Sequence, residues 1–409
     1  MHRAIVYSCM RWRNIAKPAG AGPAAHPGDK QGVVENLSSK AAKALRAILT
    51  RSLNIDCDCI PFQFDQVPVR KILNWILVEA SIYAKRGMAW GWPTHLQIEP
   101  ANYCNLRCAL CPITDGMDRS SGIMSQDLFR KLVDEAGKYV FIMMLWDWGE
   151  PFLNPGIYDM IVYAKQRGIK VVTSTNGHFF RTREQAVQLV RSGLDSLIIA
   201  VDGINQETYQ RYRGLGNLEM VTDGIRRIVA AKKALNLKTP LINLRFVVMK
   251  HNEQEVPKLH DFAQSLEVNL LTVRALHPHD AKGLLKGSPK GNQYLPENPR
   301  HQRYRMASDG ITLLRRNLNP CRKLWNSATV HWDGKVCPCC FDPHDRHTLG
   351  DLTKTGFREI WFGPRYRDMR RAFRQDYRSI AVCSDCSYAF EGGTLGTEDF
   401  VEAHFFGAK

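Results

Sequence analysis

From residue 93 onward the apolar positions change period in a regular way. Short apolar runs alternate with longer segments whose apolar residues recur every three or four positions. The runs 95–99, 141–145, 170–174, 196–201, 241–249 and 270–274 predict strands. The intervening segments 125–138, 155–166, 183–191, 220–235 and 253–265 predict helices. Ser125 is the expected N-cap of the first of these, with Leu128, Leu132 and Ala136 along one face. Strand and helix in strict alternation imply an α/β fold around a parallel sheet.

Before residue 93 the period is helical over 41–53 and 67–85, with a loop between them that carries Cys57 and Cys59. As C-x-C these two could bind metal or act in redox chemistry, but without a nearby partner pair they read as ordinary thiols. In 72–84, Ile72, Leu73, Ile76, Ala80 and Tyr83 keep helical spacing, and Asn74, Glu79 and Ser81 interrupt a run too short to span a bilayer. This helix is expected to pack on the core, with peripheral membrane contact as the alternative. Residues 1–40 read as a disordered tail, basic up to Lys17 and rich in Pro, Gly and Ala over 18–28. The expected organisation is therefore a tail (1–40), a helical segment (41–92), a core (93–275), a linker over its mouth (276–310) and a cysteine-rich domain (311–409).

Composition adds limits. The chain has 409 residues, 44% hydrophobic and 23% charged, which suits a globular protein with a large core. Its net charge of +16 admits nucleic acid, an anionic membrane or an acidic substrate as partner, or charge spread over the surface. Arg365, Arg367, Arg370, Arg371, Arg374 and Arg378 fall around more than one face of one predicted helix. No nucleic-acid fold signature accompanies them, so nucleic acid is not an expected partner. No span and no clear secretory signal are present, and a cytoplasmic location is expected.

The chain has 12 cysteines, and they cluster, which favours metal ligation in a reducing compartment over disulfides. Cys104, Cys108 and Cys111 follow the first core strand as C-x3-C-x2-C. Three thiolates on one loop are soft ligands for an iron–sulfur cluster or zinc. Three also leave one metal position open. On spacing alone, a zinc knuckle with a distant fourth ligand stays possible.

The run Cys104-Asn105-Leu106-Arg107-Cys108-Ala109-Leu110-Cys111 resembles the radical S-adenosylmethionine (SAM) superfamily. Further motifs of that family follow in order at successive strand ends. They are Trp148-Gly149-Glu150-Pro151, Ser174-Thr175-Asn176-Gly177, Val201-Asp202-Gly203, and then Tyr209 with Tyr212-Arg213-Gly214. The resemblance implies a partial, open (β/α)6 barrel with its chemistry at the C-terminal strand ends. It implies a [4Fe–4S] cluster on Cys104, Cys108 and Cys111, with SAM on the open iron. Gly149, Glu150 and Pro151 would meet the SAM amino group. Arg213 would meet its carboxylate, and Asp202 a ribose hydroxyl or substrate; Asn176 completes the cofactor-binding set. Leu110 departs from the aromatic residue common before the third cysteine.

The C-terminal cysteines form a second set. A hairpin over 329–336 turning at Asp333-Gly334 leads into Cys337-Pro338-Cys339-Cys340. With Cys321, Cys383 and Cys386 this order resembles the SPASM or twitch extension of radical SAM enzymes. The resemblance implies one auxiliary [4Fe–4S] cluster on Cys321, Cys339, Cys383 and Cys386, because no cysteine follows Cys386. Cys337 and Cys340 are spare, and Cys340 is the alternative to Cys339. A zinc site drawing on His344 and His347 is the rival. The implied activity is that of a radical SAM oxidoreductase acting on a sugar, alcohol or lipid-linked metabolite. A ribosomal-peptide maturase and a non-catalytic electron-transfer protein are the alternatives. Expected partners are a small-molecule or peptide substrate and an electron donor such as flavodoxin or ferredoxin.

Overall fold

The computed structural model describes residues 37–84, 87–277, 293–302, 304–307, 310–313, 321–384, 386 and 401–406. Six strands follow the expected alternation: β3 His95–Ile98, β4 Ile142–Leu145, β5 Lys170–Thr175, β6 Ser196–Ala200, β7 Leu241–Val248 and β8 Leu270–Ala275. They are preceded by β1 Leu53–Cys57 and β2 Ile60–Phe64. β3 to β8 pair in parallel and in sequence order, as an open barrel of six strands. Ser125 caps its helix by accepting from Leu128 N–H at 3.2 Å. The expected helix over 253–265 is broken by Pro257, so that a 3-10 turn precedes Leu259–Ser265.

Alternation along each strand divides two cores. On β4, Met143 and Leu145 pack into the outer helix layer, whereas Ile142 and Met144 face inward. The inner residues meet an element the sequence reading missed. The stretch around Cys57 and Cys59 is not a loop but the antiparallel hairpin β1–β2, which fills the barrel interior with Leu53, Phe62 and Phe64. Its tip, Asp58 with a φ of +56°, pairs with Arg245 on β7 and Arg274 on β8. Those ion pairs overcome burial and lower the Asp58 pKa. Cys57 and Cys59 are buried thiols at this tip.

An open barrel leaves two exposed strand edges, which are poorly tolerated. The C-terminal region covers both. β11 Ser327–Val330 adds parallel to β3, and β12 Lys335–Cys337 and β13 Gly350–Asp351 continue antiparallel. β14 Val401–Phe405 adds antiparallel to β8. Among the described residues the result is one sheet of 10 strands, so the cysteine-rich region extends the barrel sheet instead of forming a detached body. Gly334, at φ +89°, makes the turn between β11 and β12.

Two elements cross the expected boundaries. Helix Leu37–Thr50 begins inside the stretch expected to be disordered; residues 1–36 lie outside those described. The short hairpin of β9 Tyr304–Ala307 and β10 Gly310–Leu313 straddles the expected end of the linker. Of that linker, 278–292 lie outside the described residues, while Leu295 packs on Leu110, Met249 and Leu276 at the barrel mouth. The arginine-rich helix Pro364–Asp376 is not wholly a charged surface. Arg370 is fully buried, donates to the Leu324 and Trp361 carbonyls at 2.8 and 3.2 Å, and lies over the Trp361 and Tyr366 rings.

Candidate active site

The C-terminal ends of β3, β4, β5 and β6 bring the predicted motifs together. Cys104, Cys108 and Cys111 stand on the loop after β3, all partly buried. The segment after β6 fixes this loop, since Ala109 N–H donates to the Tyr212 carbonyl at 2.9 Å. Gly214, at φ +55°, lies so close that a Cβ there would be 2.3 Å from the Arg107 carbonyl. Around the thiols, Leu106 N–H and the Asn176 amide approach Cys104 Sγ at 3.4 and 3.6 Å, and Arg213 approaches Cys108 Sγ at 3.7 Å. Burial raises all three thiol pKa values, Cys111 to about 12, so metal ligation must displace those protons.

Glu150 is buried and joins the second motif to the third. It accepts from Phe152 N–H at 3.2 Å, the Thr175 hydroxyl at 2.8 Å and Asn176 N–H at 2.8 Å. All three donors are neutral, and burial pushes the carboxyl up to about 7. Gly149, at φ +99°, brings the chain against the first loop, where a Cβ would be 2.4 Å from the Ala101 carbonyl. Pro151 begins the turn that follows. A buried carboxylate with only neutral donors, beside a close glycine backbone, fits the ammonium group of an amino acid.

Asp202 and Arg213 are brought to each other. Arg213 forks onto Asp202 at 2.6 and 2.5 Å, and the other Asp202 oxygen accepts from Val247 N–H at 2.8 Å. Each Asp202 oxygen thus has a protein partner, and the carboxylate orients Arg213. Arg213 keeps its side toward Cys108.

In the second set, Cys321, Cys339, Cys340, Cys383 and Cys386 form a chain of mutual electrostatic influence, with Cys321 and Cys339 both affected by Cys340. Cys339 is influenced by Cys383 and Cys386, and Cys383 by Cys386 and Cys321. Cys340 also accepts from Lys323 Nζ at 3.4 Å. Cys337 is fully buried, 3.8 Å from His331 Nδ1. Of the rival zinc ligands, His344 accepts from Asp118 N–H through Nδ1 at 3.0 Å, and the main-chain N–H of His347 donates to Asp342 at 2.7 Å, while His344 Nε2 and His347 Nδ1 are buried without a hydrogen-bond partner.

Beside Cys337 lies a buried ion network that sequence reading missed. His331, at the end of β11, sits between Asp147, 3.2 Å from its Nε2, and Asp345, hydrogen-bonded to its Nδ1. Asp147 also accepts from Gln97 at 3.2 Å. Arg119 forks onto Glu99 at 2.7 and 2.5 Å, and Lys335 pairs with Asp345 at 3.0 Å. Burial opposes charge on His331, yet Glu99, Asp147 and Asp345 raise its pKa well above normal. Asp345 is held down at about 2 against its burial by His331 and Lys335. The only sequence cue was Asp147 standing two residues before Gly149. Trp148, beside it, donates its indole N–H to the Cys340 carbonyl at 3.1 Å.

Comparison with known proteins gives this geometry a family. The family model for the radical SAM superfamily matches residues 98–263, and that for the SPASM iron–sulfur cluster-binding domain matches 321–387. The chain belongs to the radical SAM superfamily. It is a radical SAM enzyme with a C-terminal SPASM domain. Membership implies SAM and a [4Fe–4S] cluster in the first domain and an auxiliary iron–sulfur cluster in the second. The radical SAM chain is similar to the tungsten-containing aldehyde ferredoxin oxidoreductase cofactor-modifying protein of Pyrococcus furiosus. They are 26% identical over 324 residues, 72% of this chain and 87% of that protein. It is equally similar to the mycofactocin maturase of Mycobacterium ulcerans, 26% identical over 330 residues, 75% and 84% of the two chains. Among solved structures it shares its fold with Streptococcus suis SuiB bound to S-adenosylmethionine. That match has a TM-score of 0.53 and 16% identity, covering 81% of this chain and 77% of SuiB. No helix among the described residues is long and apolar enough to cross a membrane.

Proposed function

We propose that this enzyme reductively cleaves SAM at a cluster held by Cys104, Cys108 and Cys111, and oxidises a substrate bound between that site and one auxiliary cluster on Cys321, Cys339, Cys383 and Cys386. Bound SAM and its cluster supply a 5′-deoxyadenosyl radical for hydrogen abstraction, and the auxiliary cluster supplies a sink for the second electron. Glu150 takes the SAM ammonium, with Gly149 and Pro151 shaping the approach. Arg213, aimed by Asp202, takes the SAM carboxylate. Asn176 steadies the Cys104 thiolate and keeps Glu150 in place.

The observation that carries this reading is the bond from Trp148 to the Cys340 carbonyl. It joins the segment that would hold SAM to the loop of auxiliary cysteines, so a substrate could touch both. A low-potential donor such as flavodoxin or ferredoxin would supply the first electron.

For the substrate we favour a sugar, alcohol or lipid-linked metabolite. The N-terminal hairpin is committed to the barrel interior, with Phe62 and Phe64 buried, and is not a free peptide-binding module. A peptide-maturase reading has its own support in the similarity to mycofactocin maturase over 75% of the chain. Deuterium-labelled candidates of both classes test the choice. Label in 5′-deoxyadenosine from a metabolite supports the first reading, and label from a peptide replaces it with the second.

A further inference from the structure

Two helices at the N-terminal side expose apolar rows instead of burying them. Helix Leu37–Thr50 buries Ala47 but leaves Leu45, Ile48 and Leu49 in solvent, Leu49 at 74% exposure. Helix Val69–Tyr83 buries Ile72, Asn74, Val78 and Ser81 on one face. Val69, Leu73 and Leu77, spaced by four, form a second face that is 44–50% exposed. The helices are neighbours: Lys43 Nζ lies 5.9 Å from the Trp75 ring. Beside the second row runs a groove of about 540 Å³, lined by Leu73, Leu77, Trp90 and Phe362 and flanked by Arg70 and Arg358. Met88 and Trp90 are themselves 49% and 42% exposed.

Basic residues outnumber acidic ones around this face, where Asp56 lies near Lys43 and Asp368 pairs with Arg371. Helix Leu37–Thr50 contains no acidic residue and exposes Lys43 and Arg46. The second helix has a single acid, Glu79, held by Arg322. Next to Met88, the side chain of Arg371 on helix Pro364–Asp376 reaches the chain at Gly87. Apolar rows on neighbouring amphipathic helices mark an interaction surface. Lysine and arginine around them, with a tryptophan at the edge, match the depth profile of a bilayer interface. An anionic headgroup layer complements the charge, and an acyl chain complements the groove.

We propose that this face docks the enzyme on an anionic lipid bilayer. Leu45, Leu49, Leu73 and Leu77 enter the acyl boundary, and Lys43, Arg46, Arg70 and Arg358 meet headgroup phosphates. The inference stands apart from the reading of the SAM site, and the Leu rows are remote from it in sequence and role.

Flotation of the full chain with phosphatidylcholine vesicles, with and without phosphatidylglycerol, tests it. The protein is expected to float with the anionic vesicles and to stay behind with the neutral ones. The exposed substitutions Leu73→Glu and Leu77→Glu together should abolish flotation, and Arg70→Glu with Arg358→Glu should weaken it about tenfold or more. Unchanged far-ultraviolet dichroism and unchanged melting temperature keep misfolding apart from lost docking. Failure to float with anionic vesicles, or equal flotation of the leucine variant, would overturn the proposal. So would a wild-type dimer that the leucine variant dissociates without any vesicle binding, since a second copy would then be the occupant.

Discussion

Asn176 donates its main-chain N–H to Glu150 at 2.8 Å, and its side-chain amide lies 3.6 Å from the Cys104 thiol. One residue after β5 therefore links the carboxylate proposed for the SAM ammonium to a cysteine proposed for the cluster. Asn176→Ala is expected to lower SAM cleavage at least tenfold, about the effect of one lost charge-assisted hydrogen bond. Rates of 5′-deoxyadenosine release at saturating SAM check this.

Glu150 makes the site pH-dependent. Burial raises its carboxyl from 4.5 to about 7 in the folded chain. The folded state then holds a proton that the unfolded state releases, so stability falls as pH rises from about 4.5 to about 7 and is flat above. The total is on the order of 3 kcal/mol. Urea unfolding across that range should show the slope, and Glu150→Gln should remove it. SAM affinity should run the other way, rising as pH passes about 7, because the ammonium pairs with the ionised carboxylate. Equilibrium dialysis with labelled SAM measures it, and Glu150→Gln should bind weakly at every pH.

Gly149 has no room for a side chain. At φ +99°, with the Ala101 carbonyl 2.4 Å from a would-be Cβ, Gly149→Ala must push the β4 and β3 loops apart. The expected cost is about 1–3 kcal/mol of stability, with loss of most SAM binding. Denaturant midpoints and dialysis separate the two effects. Equal stability and affinity would mean the loops do not need this approach.

The barrel was legible because each parallel strand is buried on both faces and reads as a short apolar run. The SAM-site motifs were legible because their residues are contiguous and fall at strand ends. What escaped was set by tertiary contacts. The β1–β2 hairpin has the pattern of a short polar-apolar loop until the barrel interior buries Leu53, Phe62 and Phe64. β14 becomes a strand only because β8 offers it an edge. Arg370 looked like its neighbours, and only the Trp361 and Tyr366 rings and two carbonyls make it a core residue. The Glu99, Asp147, His331 and Asp345 network draws on four distant segments, so no local spacing announces it.

That network holds the SPASM hairpin onto the barrel. His331 is fully buried between two carboxylates, and removing it takes the paired cation from Asp147 and leaves Asp345 with Lys335 alone. His331→Ala is expected to destabilise the protein by about 3–5 kcal/mol, the range for breaking a buried ion pair. It should also lower auxiliary iron content while leaving the SAM-site cluster loaded. Chemical unfolding checks the first, and iron analysis of His331→Ala with Cys104 intact, beside the same change on a Cys104→Ala background, separates SAM-site iron from auxiliary iron.

The auxiliary cysteines can be sorted in the same way. Cys339→Ala is expected to lose one cluster by iron analysis and electron paramagnetic resonance, because Cys339 lies within reach of Cys383 and Cys386. Cys337→Ala should keep it, since Cys337 is buried against His331. Iron retention by Cys339→Ala and loss by Cys340→Ala would pass the ligand role to Cys340.

The central claim is that Cys104, Cys108 and Cys111 hold the cluster that cleaves SAM. The direct measurement is 5′-deoxyadenosine formed from SAM and dithionite by anaerobically reconstituted protein, wild type beside Cys104→Ala, Cys108→Ala and Cys111→Ala. Formation by the wild type and none above background by each variant is the predicted result. Undiminished formation by any one of the three variants would contradict it.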